Sequence, residues 1–290
     1  MQILSSLFLL GSLGAITSAR GGKGRSCDVK LKTGEASGEL RNIAGDTQVY
    51  FSGPADSETG VLFLTDIFGI NFINSQLVAD SFGAQGYYTV MPDLFRGDPV
   101  PVDRPASFNI TEWQSRNQPA NIDPVIELAL DEIRTNTNIK RLGVVGYCFG
   151  GKYVARFLGR NAGINAGYTA HPSNVTAAEW AAVNAPLSIA NAELDTTWPL
   201  AQARLAEDIL RNSSVAWQLD TYSDVPHGFG IRANDSLPRQ VFAKEQAFVQ
   251  AVTWFGEYVK PANGTSRGPS GRKPYGAKSF DDEHRAVVAG

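Results

Sequence analysis

Three residue types in this sequence can be assembled into acyl-transfer chemistry. A cysteine stands between glycines in Gly146-Tyr-Cys-Phe-Gly150, and a histidine followed by glycine stands in Pro226-His-Gly-Phe229. A Gly-x-nucleophile-x-Gly pattern between an apolar run and a helical pattern is a tight strand-to-helix elbow that presents the central side chain. At such a helix start the thiol of Cys148 meets the positive end of the helix dipole, which favours thiolate. The plain alternative is a small buried core residue, the common fate of a free cysteine. Of the three histidines, His171, His227 and His284, His227 follows the last strand-like run. It is therefore the expected base. His171, in Ala170-His-Pro-Ser173, lies at the correct sheet end to line the pocket but precedes any suitable acid, and it reads rather as a hydrogen-bonded loop histidine. For the acid, Asp195 ends Leu187-Ser-Ile-Ala-Asn-Ala-Glu-Leu-Asp195, directly after a strand pattern, where a carboxylate can hold the imidazole tautomer. Glu193, Asp220 and Asp224 are its rivals, less well placed along the chain.

These residues need a frame. Short apolar runs at residues 47–52, 60–66, 87–92, 141–147, 167–170, 186–190 and 215–222 read as buried strands. Helical patterns alternate with them at 73–84, 123–134, 149–159, 176–183, 199–210 and 239–259, with Pro124 and Pro199 expected in first helical turns. That alternation predicts an α/β fold with a mostly parallel sheet covered by helices on both faces. Ligands then bind at the carboxyl ends of the strands. The order Cys148, Asp195, His227 along the chain is that of the α/β-hydrolase fold. The chain is expected to hold one such domain over residues 20–260. A formal net charge of −3 without a basic block gives no footprint for nucleic acid.

The ends differ in character. Met1 to Ala19 carries no charged side chain and ends in Thr17-Ser-Ala19, the pattern of a secretory signal peptide lacking its basic start. An N-terminal membrane anchor is the other reading, although the apolar stretch is shorter than the roughly 20 residues a span needs. The mature protein is thus expected outside the cell, without stable membrane association. Glycosylation sequons at Asn109, Asn174, Asn212, Asn234 and Asn263 agree with that destination. Cys27 and Cys148 are the only cysteines, and both thiols are expected to be free. Residues 261–290, rich in Gly, Ser and basic side chains, read as a disordered tail that includes His284.

Taken together, Gly146-Tyr-Cys-Phe-Gly-Gly151, Asp66-Ile-Phe-Gly69, Pro92-Asp-Leu-Phe-Arg-Gly97 and His227-Gly-Phe229 resemble the dienelactone hydrolase family over residues 27–259. The segment from Cys27 to Leu40 resembles fungal members. The resemblance implies hydrolysis of an enol-lactone or related small ester through a thioester on Cys148, with neither metal nor organic cofactor. It also implies an oxyanion hole from the Ile67 and Phe149 N–H groups. In the family an acid at the Asp66 position contacts the resting thiol and helps switch it on. Bacterial members carry Glu there, one methylene longer. Two family arginines that bind a substrate carboxylate fall near Arg96 and Arg232, with the spacing shifted by one residue in both. Each reads equally as a solvated surface arginine. Trp198 and Phe229 read either as pocket walls or as core.

The sequence thus points to a small-molecule ester or lactone hydrolase. A broader esterase, thioesterase or polyketide-tailoring enzyme is the nearest rival. A non-catalytic binding protein on the same fold is a more distant one.

Overall fold

A computed structural model of the chain describes residues 29–260. The expected signal peptide, Cys27, Asn263, His284 and the tail lie outside the described residues.

Eight strands form one sheet in the order β1-β2-β4-β3-β5-β6-β7-β8. β1 (Glu39–Asn42) and β2 (Gln48–Ser52) are antiparallel to their neighbours. β3 (Thr59–Leu64), β4 (Tyr88–Pro92), β5 (Arg141–Tyr147), β6 (Ala166–Ala170), β7 (Leu187–Ala192) and β8 (Trp217–Tyr222) are parallel. The central strands are apolar without alternation because both faces are covered. Val61, Phe63 and Val145 point into one core, which packs under α1 (Ile73–Ala84) and α8 (Pro238–Tyr258). Leu62, Leu64 and Val144 point the other way, into the core beneath α3 (Pro119–Asn136), α4 (Phe149–Leu158) and α6 (Leu200–Arg211). Successive side chains on a strand face opposite sides, so each central strand serves both layers. α5 (Ala177–Ala182) and the short α7 (Phe229–Arg232) complete the connections on the site side.

Strand order reverses between β3, which leads next to β4, and β5, which leads the other way to β6. A crevice opens outside the carboxyl ends of strands at such a switch point. Cys148 follows β5 and Asp66 follows β3, so both stand at that crevice.

Two expected helix starts need correction. α3 starts at Pro119, a turn earlier than expected, so Pro124 lies inside the helix rather than in its first turn. Pro119 takes the first position, where a missing N–H costs nothing. Pro199 is the N-cap of α6, not its first residue. The apolar-run reading also leaves out β1, α2 (Ile110–Arg116) and the short α7. β1 is an edge strand with every residue exposed, and α2 buries only Trp113. Among the described residues no helix is long and apolar enough to cross a membrane.

Candidate active site

Cys148 joins β5 to α4 with φ 51° and ψ −110°, a conformation that non-glycine residues rarely adopt. Such a residue costs of order 1–3 kcal/mol unless its surroundings hold it. They do. Cys148 N–H donates to the Ala170 carbonyl (3.2 Å), while the Cys148 carbonyl accepts from Ser173 N–H (3.0 Å) and Gly151 N–H (3.0 Å). The flanking glycines are required by space. A Cβ on Gly150 would lie 2.2 Å from the Leu64 carbonyl oxygen, and one on Gly146 would lie 2.5 Å from the Gly150 oxygen. Strand β3 therefore touches the turn directly at Gly150, while a side chain at Gly146 would push against the first turn of α4.

Two loops bring the partners to the thiol. His227 follows β8 and precedes Gly228, whose left-handed backbone (φ 90°) starts α7. His227 Nε2 lies 2.9 Å from Cys148 Sγ, and His227 Nδ1 lies 2.7 Å from Asp195 Oδ2. The other carboxylate oxygen of Asp195 accepts from the Thr197 and Trp198 N–H groups, both at 2.8 Å. This Asx-type turn is encoded by Asp195-Thr-Thr-Trp-Pro199 and aims Oδ2 at the imidazole. Burial opposes a charge on His227, yet its hydrogen bonds to Asp195 and Cys148 outweigh that and raise its pKa to about 9. Below that pH both ring nitrogens carry protons and both can donate. Of the rival acids, Glu193 accepts from the Asp224 N–H, and Asp220 accepts from Gln218. Asp224 pairs with Arg239.

The remaining expected site residues lie in different settings. Asp66 is fully buried but hydrogen-bonds Arg232 rather than the thiol. Its Oδ2 accepts from Arg232 Nε at 3.1 Å, and its Oδ1 accepts from Phe68 N–H at 3.0 Å. Burial pushes the Asp66 carboxyl above its ordinary value, and the Arg232 charge offsets only part of that. Arg232 also lies over the Phe68 ring, 4.9 Å from its centroid, so in this state it is already engaged. Arg96 occupies an exposed left-handed turn (φ 50°) whose Asp93 carboxylate accepts from Phe95 and Gly97 N–H groups. Its guanidinium makes no ion pair among the described residues, and nothing ties it to the crevice. Trp198 and Phe229 are core side chains, 2% and 1% exposed. Trp198 packs on Trp180, and Phe229 packs on Tyr222 and His171.

His171 is not the hydrogen-bonded loop residue its setting suggests. It is completely buried, and neither ring nitrogen has a hydrogen-bond partner among the described residues. Its ring stands 5.0 Å from that of His227. Nothing in the local sequence signals this; the parallel register of β6 between β5 and β7 creates it. The two expected oxyanion donors stand on either side of the elbow. The Phe149 N–H is at the first position of α4 and the Ile67 N–H follows Asp66, and neither donates within the described residues. Among the described residues no cluster of side chains is suited to hold a metal ion.

The sequence and the fold have counterparts in known proteins. Residues 47–259 match the sequence model of the dienelactone hydrolase family. Hydrolase pyvD of Aspergillus violaceofuscus is 45% identical over 232 residues, covering 79% of this chain and 94% of that protein. Hydrolase tropI of Talaromyces stipitatus is 42% identical over 231 residues, covering 76% and 90%. A carboxymethylenebutenolidase homolog of Xenopus tropicalis is 26% identical over 238 residues, covering 80% and 96%. Among solved structures, the dienelactone hydrolase-like promiscuous phosphotriesterase P91 from metagenomic libraries superposes with a TM-score of 0.65. At 17% identity it covers 78% of this chain and 100% of its own. That likeness is one of fold.

Proposed function

The chain belongs to the dienelactone hydrolase family and is a hydrolase, and on that premise we propose that it cleaves a small ester or lactone through a thioester on Cys148. One observation carries the reading: the unbroken line from Cys148 Sγ through His227 to Asp195, at 2.9 and 2.7 Å. In the proposed cycle the Cys148 thiolate attacks the substrate carbonyl while His227 holds the proton. The oxyanion is received by the Phe149 and Ile67 N–H groups. Collapse breaks the ester C–O bond, and the leaving alkoxide takes its proton from His227 as the thioester forms. For a lactone both products stay on one molecule. His227, now neutral, takes a proton from water, which attacks the thioester and releases the acid and the thiol. Asp195 keeps the ring in orientation and balances its charge throughout.

Chromogenic short-chain esters and a lactone panel test the cycle. Cys148→Ala is expected to lower kcat/KM by about 10³-fold or more, and prior alkylation of the wild type should do the same. An alanine variant of full activity overturns the mechanism. Activity on lactones but not on open-chain esters would narrow the substrate to the ring form.

We also infer a secreted, glycosylated protein from the 1–19 segment and the sequons. In support, Asn109, Asn174, Asn212 and Asn234 are all exposed. Mass loss on enzymatic deglycosylation of protein secreted by a fungal host checks both at once.

A further inference from the structure

His171 is a buried polar side chain beside the relay that the cycle above does not use. It is wholly buried, and an imidazole with two unbonded nitrogens is costly to keep there. A side chain that satisfied its own nitrogens, or an apolar one, would fill ordinary core more cheaply. Its backbone is strained as well, with φ 39°.

The surroundings show what this placement achieves. The His171 ring stands edge-to-face to the His227 ring, with centroids 5.0 Å apart and planes at 69°. Phe229 at 5.5 Å and Tyr147 at 6.0 Å hold it from other sides. At Gly230 an added Cβ would come within 3.1 Å of His171 Nε2, so the glycine leaves room for the tip of the ring. The segment carrying His171 also grips the elbow. Its preceding residue, Ala170, accepts from Cys148 N–H, and Ser173 donates to the Cys148 carbonyl. His171 N–H in turn donates to the Ala190 carbonyl of β7 at 2.8 Å, tying the segment to the strand that leads to Asp195.

We propose that His171 is the positioning residue of the relay: an aromatic wedge that fixes the plane of His227 from the end of β6 that clamps Cys148. The proposal rests on the relay reading of Cys148, His227 and Asp195. The wedge works because it is neutral. A second cation 5.0 Å from His227 and close to Arg232 would drive the proton off His227, and burial together with those two charges holds the His171 pKa well below its ordinary value. Since neither nitrogen is hydrogen-bonded, a planar apolar ring can take over the task.

The test compares His171→Ala and His171→Phe with wild type and Cys148→Ala. Two readouts are used: p-nitrophenyl acetate hydrolysis, and the pH profile of Cys148 alkylation by iodoacetamide, which needs no knowledge of the substrate. Removing the ring frees His227 to swing away, and small misplacements of this kind cost on the order of 10²-fold in rate. The alanine variant should therefore lose roughly 30- to 100-fold in kcat with KM little changed. Its alkylation at pH 6 should slow in parallel, with the profile shifted to higher pH. The phenylalanine variant should keep both within about threefold, since the ring shape is retained. Wild-type behaviour of the alanine variant overturns the proposal, and so does a phenylalanine variant as impaired as alanine while still folded by circular dichroism. If the alanine variant does not fold, the phenylalanine profile decides alone. Full hydrolytic activity in Cys148→Ala would instead remove the relay reading itself, whatever His171 does.

Discussion

Asp80 and Asp66 are both buried carboxylates, and their fates differ because their donors differ. Asp80, on α1, accepts five hydrogen bonds: Tyr50 OH (2.7 Å), Ser52 Oγ (2.6 Å), Ser37 N–H (2.7 Å), Ser37 Oγ (3.0 Å) and Lys32 Nζ (3.0 Å). Burial alone would raise it, but those partners win and hold its pKa below the ordinary carboxylate value. Asp66 has two donors and is raised. The register of β2 on β4 puts Ser52 opposite Thr89, at the amino ends of the parallel strands, away from the catalytic crevice. At one end of the sheet the buried carboxylate is thus satisfied and structural, and it pins the 32–52 segment to α1. The other end keeps its polar groups under-satisfied, which is where chemistry is found. Substitutions at the two ends should separate activity from stability.

The largest contrast is in rate. His227→Ala should lower kcat/KM by about 10³-fold or more, since the thiol loses its proton acceptor and the leaving group its donor. Asp80→Asn should leave kcat unchanged when assayed below its melting temperature. A tenfold loss of kcat in folded Asp80→Asn would mean the two ends are coupled, and the division between them would fail.

Stability should reverse the order. Asp80→Asn removes the charge that five donors share and turns an amide N–H₂ towards some of them. A loss of about 3 kcal/mol, roughly 5–10 °C in Tm, is expected from orphaned buried donors. Thermal denaturation monitored by circular dichroism reads it. The contribution of Asp80 is present above the unfolded value of 3.8 and is lost as pH falls through its depressed folded value. The deficit of the variant should therefore shrink in strong acid. His227 has the opposite sign. Its folded pKa of about 9 lies above the ordinary 6.5, so its contribution is complete below 6.5 and lost as pH rises through 9. The kcat/KM profile should show an alkaline limb near 9 where the imidazolium proton goes, and an enzyme active undiminished to pH 10.5 would refute that assignment.

The same contrast explains what the sequence could and could not disclose. The elbow was legible because its constraint is local: glycines two residues either side of Cys148, apolar β5 before it and a helical pattern after it. Chain order and position after strands were enough to nominate Asp195 and His227, and the Asx turn of Asp195 is written in the residues that follow it. The parallel sheet followed from alternation, whereas β1 did not, since an exposed edge strand carries no apolar period. Side-chain pairings across long separations were opaque. Asp66 meets Arg232 across 166 positions of sequence, and Asp80 meets Lys32 across 48. Both depend on how helices and loops dock, and no local pattern records that. His171 escapes a local reading for the same reason: its surroundings are set by Phe229 of α7 and Tyr147 of β5, which reach it from other elements.

The smallest expected effect is also the most diagnostic of the difference between the two carboxylates. Asp66→Asn keeps the shape and the hydrogen bond from Phe68 N–H while removing a buried charge. Arg232, with its side chain 30% exposed, can turn to water when its partner is neutral. Because the folded pKa of Asp66 lies above the unfolded 3.8, the folded state holds the proton more tightly, so stability falls as pH rises from about 4 through the raised value. The asparagine variant mimics the protonated form and should be more stable than wild type at pH 7, by about 1 kcal/mol. The gap should close near pH 4. At the other end of the sheet the equivalent change has the opposite sign, so a single pair of melting curves at pH 7 compares the two sites directly. If Asp66→Asn melts below wild type there, the ion pair with Arg232 outweighs burial, and Asp66 belongs with Asp80 as a structural carboxylate.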